Sequence, residues 1–176
     1  MTVKVSAGFI WTENHRVKGE QMRSKLELRV PPPLVMLLFM ATVFIFDYLA
    51  PFNLFYLPLL SYVLVLGLIT LGGVIALCGV KEFREAKTTV NPLKPESSSS
   101  LVSSGIYQYT RNPMYLGLLL ALLSSVAYTQ HPLGLVSALG FVLYMNRFQI
   151  EPEEKMLVKL FGEDFKVYAN QVKRWF

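Results

Sequence analysis

Two polar runs interrupt a chain otherwise dominated by apolar side chains: Arg111-Asn112-Pro113-Met114-Tyr115 and Glu151-Pro152-Glu153-Glu154. In the first, Asn112 before Pro113 reads as a helix start, an N-cap acceptor followed by a proline at the first helical position. The amide donors of such a start have no intrahelical partner, and with Arg111 beside them they suit a carboxylate or a phosphate. In the second run Pro152 reads as the first position of another helix, with acids in the turn where the dipole favours them. Taken singly, these residues also fit a plainer reading in which Arg111 anchors a helix, Asn112 caps it, and Glu153 and Glu154 are solvated first-turn acids.

The apolar stretches around the two runs bring them together. A helix needs about 20 mostly apolar residues, with a working range of roughly 17 to 25, to cross the hydrocarbon core of a bilayer. Four stretches qualify: about Leu34 to Ala50, Phe55 to Val80, Pro113 to Thr129, and Pro132 to Ile150. Only Gln130 and His131 separate the last two, so they form an antiparallel hairpin whose far ends return to one face side by side. An anion-attracting helix start then faces a pair of acids across one helix spacing. A ligand carrying both a carboxylate and positive charge complements that arrangement; S-adenosylmethionine, with its α-carboxylate, α-ammonium and sulfonium, is one such molecule among many zwitterions.

Composition agrees with a membrane setting. Hydrophobic residues make up 53% of the 176 and charged residues 16%, which is too little polar surface for a soluble domain of this size. All seventeen lysines and arginines fall in the N-terminal tail, between the second and third spans, or from Arg147 onward, and the two short outer loops hold none. That asymmetry predicts an all-α, multi-pass helical bundle of four spans with both termini in the cytoplasm. The first thirty residues lack the apolar core of a cleaved signal peptide. Cys78 is the single cysteine, and His15 and His131 fall on opposite sides, so neither a disulfide within the chain nor a metal site is expected. The net charge of +5 flanks spans instead of forming a basic and aromatic surface, which argues against nucleic acid. Asp47, near the outer end of the first span, reads as an interfacial acid or a buried functional one.

Three regions follow: a cytoplasmic segment over 1–30, two transmembrane helices over 31–80, and a region over 81–176 that holds both polar runs. Within the second span Gly67, Gly72 and Gly73 either allow close approach of a neighbouring helix or simply reflect membrane composition. Ser97 to Ser100 reads as a flexible linker. After the fourth span, Met156, Leu157, Leu160 and Phe161 form an apolar stripe; Gly162 ends that helix, and Phe165, Tyr168 and Trp175 supply a second amphipathic anchor.

At these residues the chain resembles the isoprenylcysteine carboxyl methyltransferase and phospholipid methyltransferase superfamily of integral membrane enzymes. The likeness covers roughly Thr88 to Phe176. It rests on Leu101-Val102 through Gly105-Ile106-Tyr107, the Arg111 to Gly117 block, the Glu153-Glu154 pair, and Phe161-Gly162-Glu163-Asp164-Phe165 with Tyr168 and Arg174-Trp175. The resemblance implies a methyltransferase that takes S-adenosylmethionine from the cytoplasm and a lipophilic acceptor or lipid from the bilayer. It implies cofactor binding by Leu101, Val102, Tyr107, Arg111, Asn112, Pro113, Met114, Tyr115, Gly117 and Glu153, and catalytic positions at Arg147, Gln149 and Glu154.

Two departures bear on the acceptor. Asn112 stands where the isoprenylcysteine enzymes have histidine, and Gln149 stands nearest to their acceptor-binding arginine, with Arg147 two residues earlier. A prenylcysteine-like carboxylate, a phospholipid amine and a small thiol all remain open as acceptors. A carboxylate needs no general base, whereas a thiol or amine does, and with no histidine near these residues the base would be a glutamate, a tyrosine or water, which favours an acceptor that is already nucleophilic. Two other readings stand beside methyl transfer: an NADPH-dependent enzyme like the membrane sterol reductases, and a membrane scaffold without catalysis.

Overall fold

A computed structural model describes residues 27–52, 57–86 and 100–176. The basic tail through residue 26, the outer loop at 53–56, and positions 87–99, which include most of the expected serine linker, lie outside the described residues. Among the described residues the regular structure is helical throughout. Helix α1 is Pro32–Leu49, α2 is Pro58–Glu85, α3 is Pro113–Thr129, α4 is Leu133–Met145, α5 is Glu151–Phe161 and α6 is Glu163–Gln171. Prolines open α1, α2 and α3, where the missing amide donor costs no intrahelical bond.

Three helical stretches are long and apolar enough to cross a bilayer: Pro32–Leu49, Pro58–Glu85 and Leu133–Phe161. Helix α3, with 17 residues, stands at the lower edge of the spanning range. At a rise of about 1.5 Å per residue, α2 is about 42 Å long, and its last turns carry Lys81, Glu82, Arg84 and Glu85 beyond the apolar run. Leu59, Leu66 and Leu77 on α2 are 70–79% exposed, as expected of a surface solvated by lipid tails.

The helices pack chiefly through α3, which lies against α1, α2 and α4. Val43, Leu122, Phe141, Met145 and Ile150 form the fully buried centre, and Phe39 meets Phe141 edge-on with ring centroids 6.1 Å apart. Thr42 and Ser137 share a 2.8 Å hydrogen bond between α1 and α4. The closest crossing is α2 on α3 at Gly72 and Gly117, where a Cβ on Gly117 would stand 2.6 Å from the Gly72 carbonyl oxygen. Of the three glycines expected to admit a neighbour, only Gly72 does so; Gly67 and Gly73 have open space beside them.

The fourth span does not end at Ile150 as expected from the sequence. Helix α4 runs on through a π-helical turn, Asn146–Ile150, directly into α5, and Pro152 sits inside a continuous helix. A proline in that position normally orphans the carbonyl four residues earlier. Here that carbonyl, on Phe148, accepts the Leu28 N–H at 3.1 Å from the segment preceding α1. Beneath this end, Val102, Tyr107, Phe165, Tyr168 and Val172 form a second small core, into which α6 and the C-terminal residues fold.

Candidate functional site

The hairpin of α3 and α4 turns at Gln130, whose φ of 53° is left-handed, and its two far ends meet as the topology requires. Tyr115, in the first turn of α3, donates its hydroxyl to Glu153 Oε1 at 2.5 Å. Gln149, one helical turn before Glu153, donates its amide to the same carboxylate oxygen at 2.7 Å and lies 3.4 Å from the Tyr115 hydroxyl. The π turn supplies this register, because Gln149 belongs to it and is buried. Partly buried Glu153 is therefore held by two neutral donors, and none of the described cations forms an ion pair with it.

Glu154 has a different environment. Arg174 grips it with two parallel bonds, Nε to Oε1 at 3.0 Å and Nη2 to Oε2 at 2.6 Å, and Arg111 Nη2 approaches Oε1 at 2.9 Å. Its hydrogen bonding raises the pKa of the Arg174 guanidinium above the ordinary value. Arg111 also donates through Nη1 to the Ala169 carbonyl at 3.0 Å, while its buried Nε has no partner among the described residues. Asn112 does not cap α3. Its side-chain amide donates instead to the Arg174 carbonyl at 3.0 Å, and the amide of Asn112 is met by Thr110 Oγ1.

Tyr107 lies in a short 3-10 turn, Gly105–Gln108, and is fully enclosed. Its ring packs edge-on against Phe83, its carbonyl accepts the Tyr168 hydroxyl at 2.7 Å, and its own buried hydroxyl has no partner among the described residues. Burial pushes the Tyr107 pKa far up, and the charge of nearby Glu153 acts in the same direction, so the phenol stays protonated. Burial likewise pushes Tyr168 up to about 12, against the opposing pull of Arg111. Gly105 makes the turn possible: its φ is +55°, and a Cβ there would strike the Glu82 carboxylate.

The remaining expected positions divide into packing and polar roles. Val102 is buried in the small core with Leu101 packed beside it. Pro113 and Met114 contact α2 at Gly79, and Gly117 serves the α2 crossing. Arg147 pairs with Glu27 and Glu151, each at 3.3 Å. Sequence reasoning did not find Asn146, which accepts the Trp175 indole N–H at 3.0 Å, or the bonds through which Arg174 reaches both arms of the site. The basic and aromatic pair Arg174-Trp175 was the only sequence signal for these contacts.

The family profile for phospholipid methyltransferase matches residues 60–164. Among curated proteins, the yeast Saccharomyces cerevisiae Protein-S-isoprenylcysteine O-methyltransferase is 33% identical over 82 residues, covering 45% of this chain and 33% of that enzyme. The enzyme of the same name from Schizosaccharomyces pombe is 32% identical over 111 residues, 61% of this chain and 45% of its own length. An uncharacterized protein of Haemophilus influenzae is 39% identical over 62 residues, which is 35% of this chain and 98% of that protein. The chain thus spans less than half the length of the two isoprenylcysteine methyltransferases.

Proposed function

The chain belongs to the phospholipid methyltransferase family, and on that premise we propose that it moves a methyl group from S-adenosylmethionine to a lipophilic acceptor at the cytoplasmic face of a membrane. The observation that carries this reading is that Glu153, held by the neutral donors Tyr115 and Gln149, lies at the same end of the α3–α4 hairpin as the Tyr107 hydroxyl and Arg111 Nε, which lack partners among the described residues. Unpaired buried polar atoms are rare because each forfeits about 1–3 kcal/mol. A donor and a donor-acceptor without partners among the described residues, at the same end as an acid that forms no ion pair with a described cation, fit a zwitterion, as the cofactor's amino-acid moiety is.

When bound, S-adenosylmethionine supplies a methyl group activated by its sulfonium, which leaves as a neutral thioether. Glu153 would face the cofactor's positive charge, and Arg111 with Tyr107 would meet its carboxylate. Tyr115 and Gln149 hold the Glu153 carboxylate in one orientation, and the apolar wall of α3 and α4 excludes water from the reacting groups. Tyr107 and Tyr115 would donate and orient.

The arginines bear on the acceptor. Arg147 is engaged by Glu27 and Glu151, and Gln149 is turned toward Glu153, so the acceptor-side positions offer a carboxylate little uncompensated positive charge. This favours an amine or thiol acceptor over a prenylcysteine-like carboxylate. Radiolabelled methyl transfer by the purified protein to phosphatidylethanolamine, prenylcysteine analogues and lipophilic thiols tests both levels. Incorporation into one class identifies the acceptor, and failure to bind S-adenosylhomocysteine in calorimetric titration, with binding of NADPH instead, would overturn the methyltransferase reading.

A further inference from the structure

Beyond α6 the chain turns extended at Val172 and runs back across the site. The Lys173 carbonyl accepts the Arg111 N–H at 3.0 Å, and the Arg174 carbonyl accepts both Thr110 Oγ1 at 3.1 Å and the Asn112 side-chain amide at 3.0 Å. The Arg174 guanidinium meanwhile forks onto Glu154, and the Trp175 indole bonds Asn146 in the π turn. Three consecutive residues, Lys173 to Trp175, therefore tie the turn before α3 to the π turn and the first turn of α5. These are the segments that carry Arg111, Gln149 and Glu153.

We propose that this C-terminal segment is a strap that sets the spacing between the two arms of the site, and that Arg174 is its positioning residue. The proposal rests on the methyltransferase reading for its functional consequence, though not for its geometry. Arg174 holds the α3 arm by its backbone and the α5 arm by its side chain, so its side chain is the removable half of the link. It also occupies Glu154 together with Arg111, leaving Glu153 as the acid presented to a ligand. A fork of two parallel donors fixes a carboxylate in direction as well as distance, which a lysine ammonium does not.

Two measurements test this. In a Cys78→Ser background, nitroxides at Tyr109→Cys and Lys155→Cys, both exposed positions, report the spacing of the arms without any ligand. The distance distribution is expected to be narrow with Arg174 present and broad in Arg174→Ala; an unchanged distribution overturns the strap. Calorimetry with S-adenosylhomocysteine is expected to show about tenfold weaker binding in Arg174→Ala, in keeping with the cost of small misplacements in a site. In turnover with the acceptor found by the screen above, the cofactor KM should rise with it while the acceptor KM stays within about twofold.

Arg174→Lys keeps the charge and should recover the melting temperature but not the cofactor affinity. Full recovery of affinity by lysine, or wild-type affinity in Arg174→Ala, overturns the positioning role. Thr42→Val, which loosens helix packing away from the site, should lower the melting temperature and leave affinity unchanged; a matching loss of affinity there means that the site merely tracks stability, and also overturns it. If the unaltered protein binds no S-adenosylhomocysteine, the functional reading fails while the distance measurement still decides the strap.

Discussion

The hairpin of α3 and α4 encloses polar groups at both of its ends and treats them differently. At the corner end, the Gln130 amide bonds the Leu57 N–H and carbonyl, and Ser61 donates to the Ala127 carbonyl at 2.8 Å. His131 accepts the Leu133 N–H on Nδ1, which leaves Nε2 to donate to the Ala50 carbonyl at 2.9 Å. A cavity of about 410 Å³ opens there between leucines of α2, α3 and α4, yet every one of these polar side chains at its rim is already taken. At the other end lie both of the buried side-chain atoms that lack a partner among the described residues, Tyr107 Oη and Arg111 Nε. Polar groups that serve folding are satisfied within the chain, whereas a site for a polar ligand keeps some capacity open. Hydrogen-bonding capacity left open among the described residues therefore points to the proposed site where the size of a cavity does not.

The sharpest way to break this contrast is Glu153→Gln. Removing the charge while keeping the shape is expected to weaken S-adenosylhomocysteine binding by about tenfold to a hundredfold, the range for hydrogen bonds to a charged group. Wild-type affinity in calorimetry would remove Glu153 from the site. At the corner end, His131→Ala should cost about 1–3 kcal/mol by stranding the Ala50 carbonyl and the Leu133 amide. Thermal unfolding in detergent should show that loss with cofactor affinity unchanged; a drop in affinity would mean that the two ends are coupled. Tyr107→Phe inverts the pattern. Deleting a hydroxyl that has no partner among the described residues should leave stability equal or raise it by about 1 kcal/mol, while binding weakens by about threefold to tenfold. A destabilised Phe variant would show that the hydroxyl is satisfied within the protein.

Much of this geometry could be read from local sequence. Pro113 and Thr129 bound α3 as expected, and the two-residue corner placed Arg111 and Tyr115 opposite the acids, because helix starts and hairpin closure depend on neighbouring residues. What stayed hidden depends on partners far along the chain. Pro152 reads as a helix start, and only the Leu28 amide, which takes the carbonyl that the proline orphans, lets the helix continue. Asn112 reads as a cap until the Arg174 carbonyl, 62 residues away, claims its side chain. The equal-looking acids Glu153 and Glu154 part for the same reason: the arginines on Glu154 come from the turn before α3 and from the C-terminal strap. Spacing alone ranks Gly67, Gly72 and Gly73 alike, and only the crossing with Gly117 singles out Gly72.

The smallest expected effect separates two tyrosines within the site end. Tyr168 donates to the Tyr107 carbonyl, whereas the Tyr107 hydroxyl has no partner among the described residues, so Tyr168→Phe should cost about 1 kcal/mol where Tyr107→Phe costs nothing. The pH dependence identifies the cause. Burial places the folded Tyr168 at about 12, above its ordinary value of 10.0. Below pH 10 the phenol is neutral whether the chain is folded or unfolded, and its stabilisation is fully present. As pH rises from about 10 to about 12 the unfolded chain ionises first, so the stabilisation is lost across that window. The phenylalanine variant carries no ionisable group at this position. Because a shift of this size outweighs a gap of about 1 kcal/mol, its melting temperature should lie below that of the unaltered protein near pH 8, meet it as pH rises above 10, and lie above it before pH 12. A constant gap would mean that the Tyr168 hydroxyl is not held in the folded state as this geometry requires, and would leave the small core beneath the site without its polar tie.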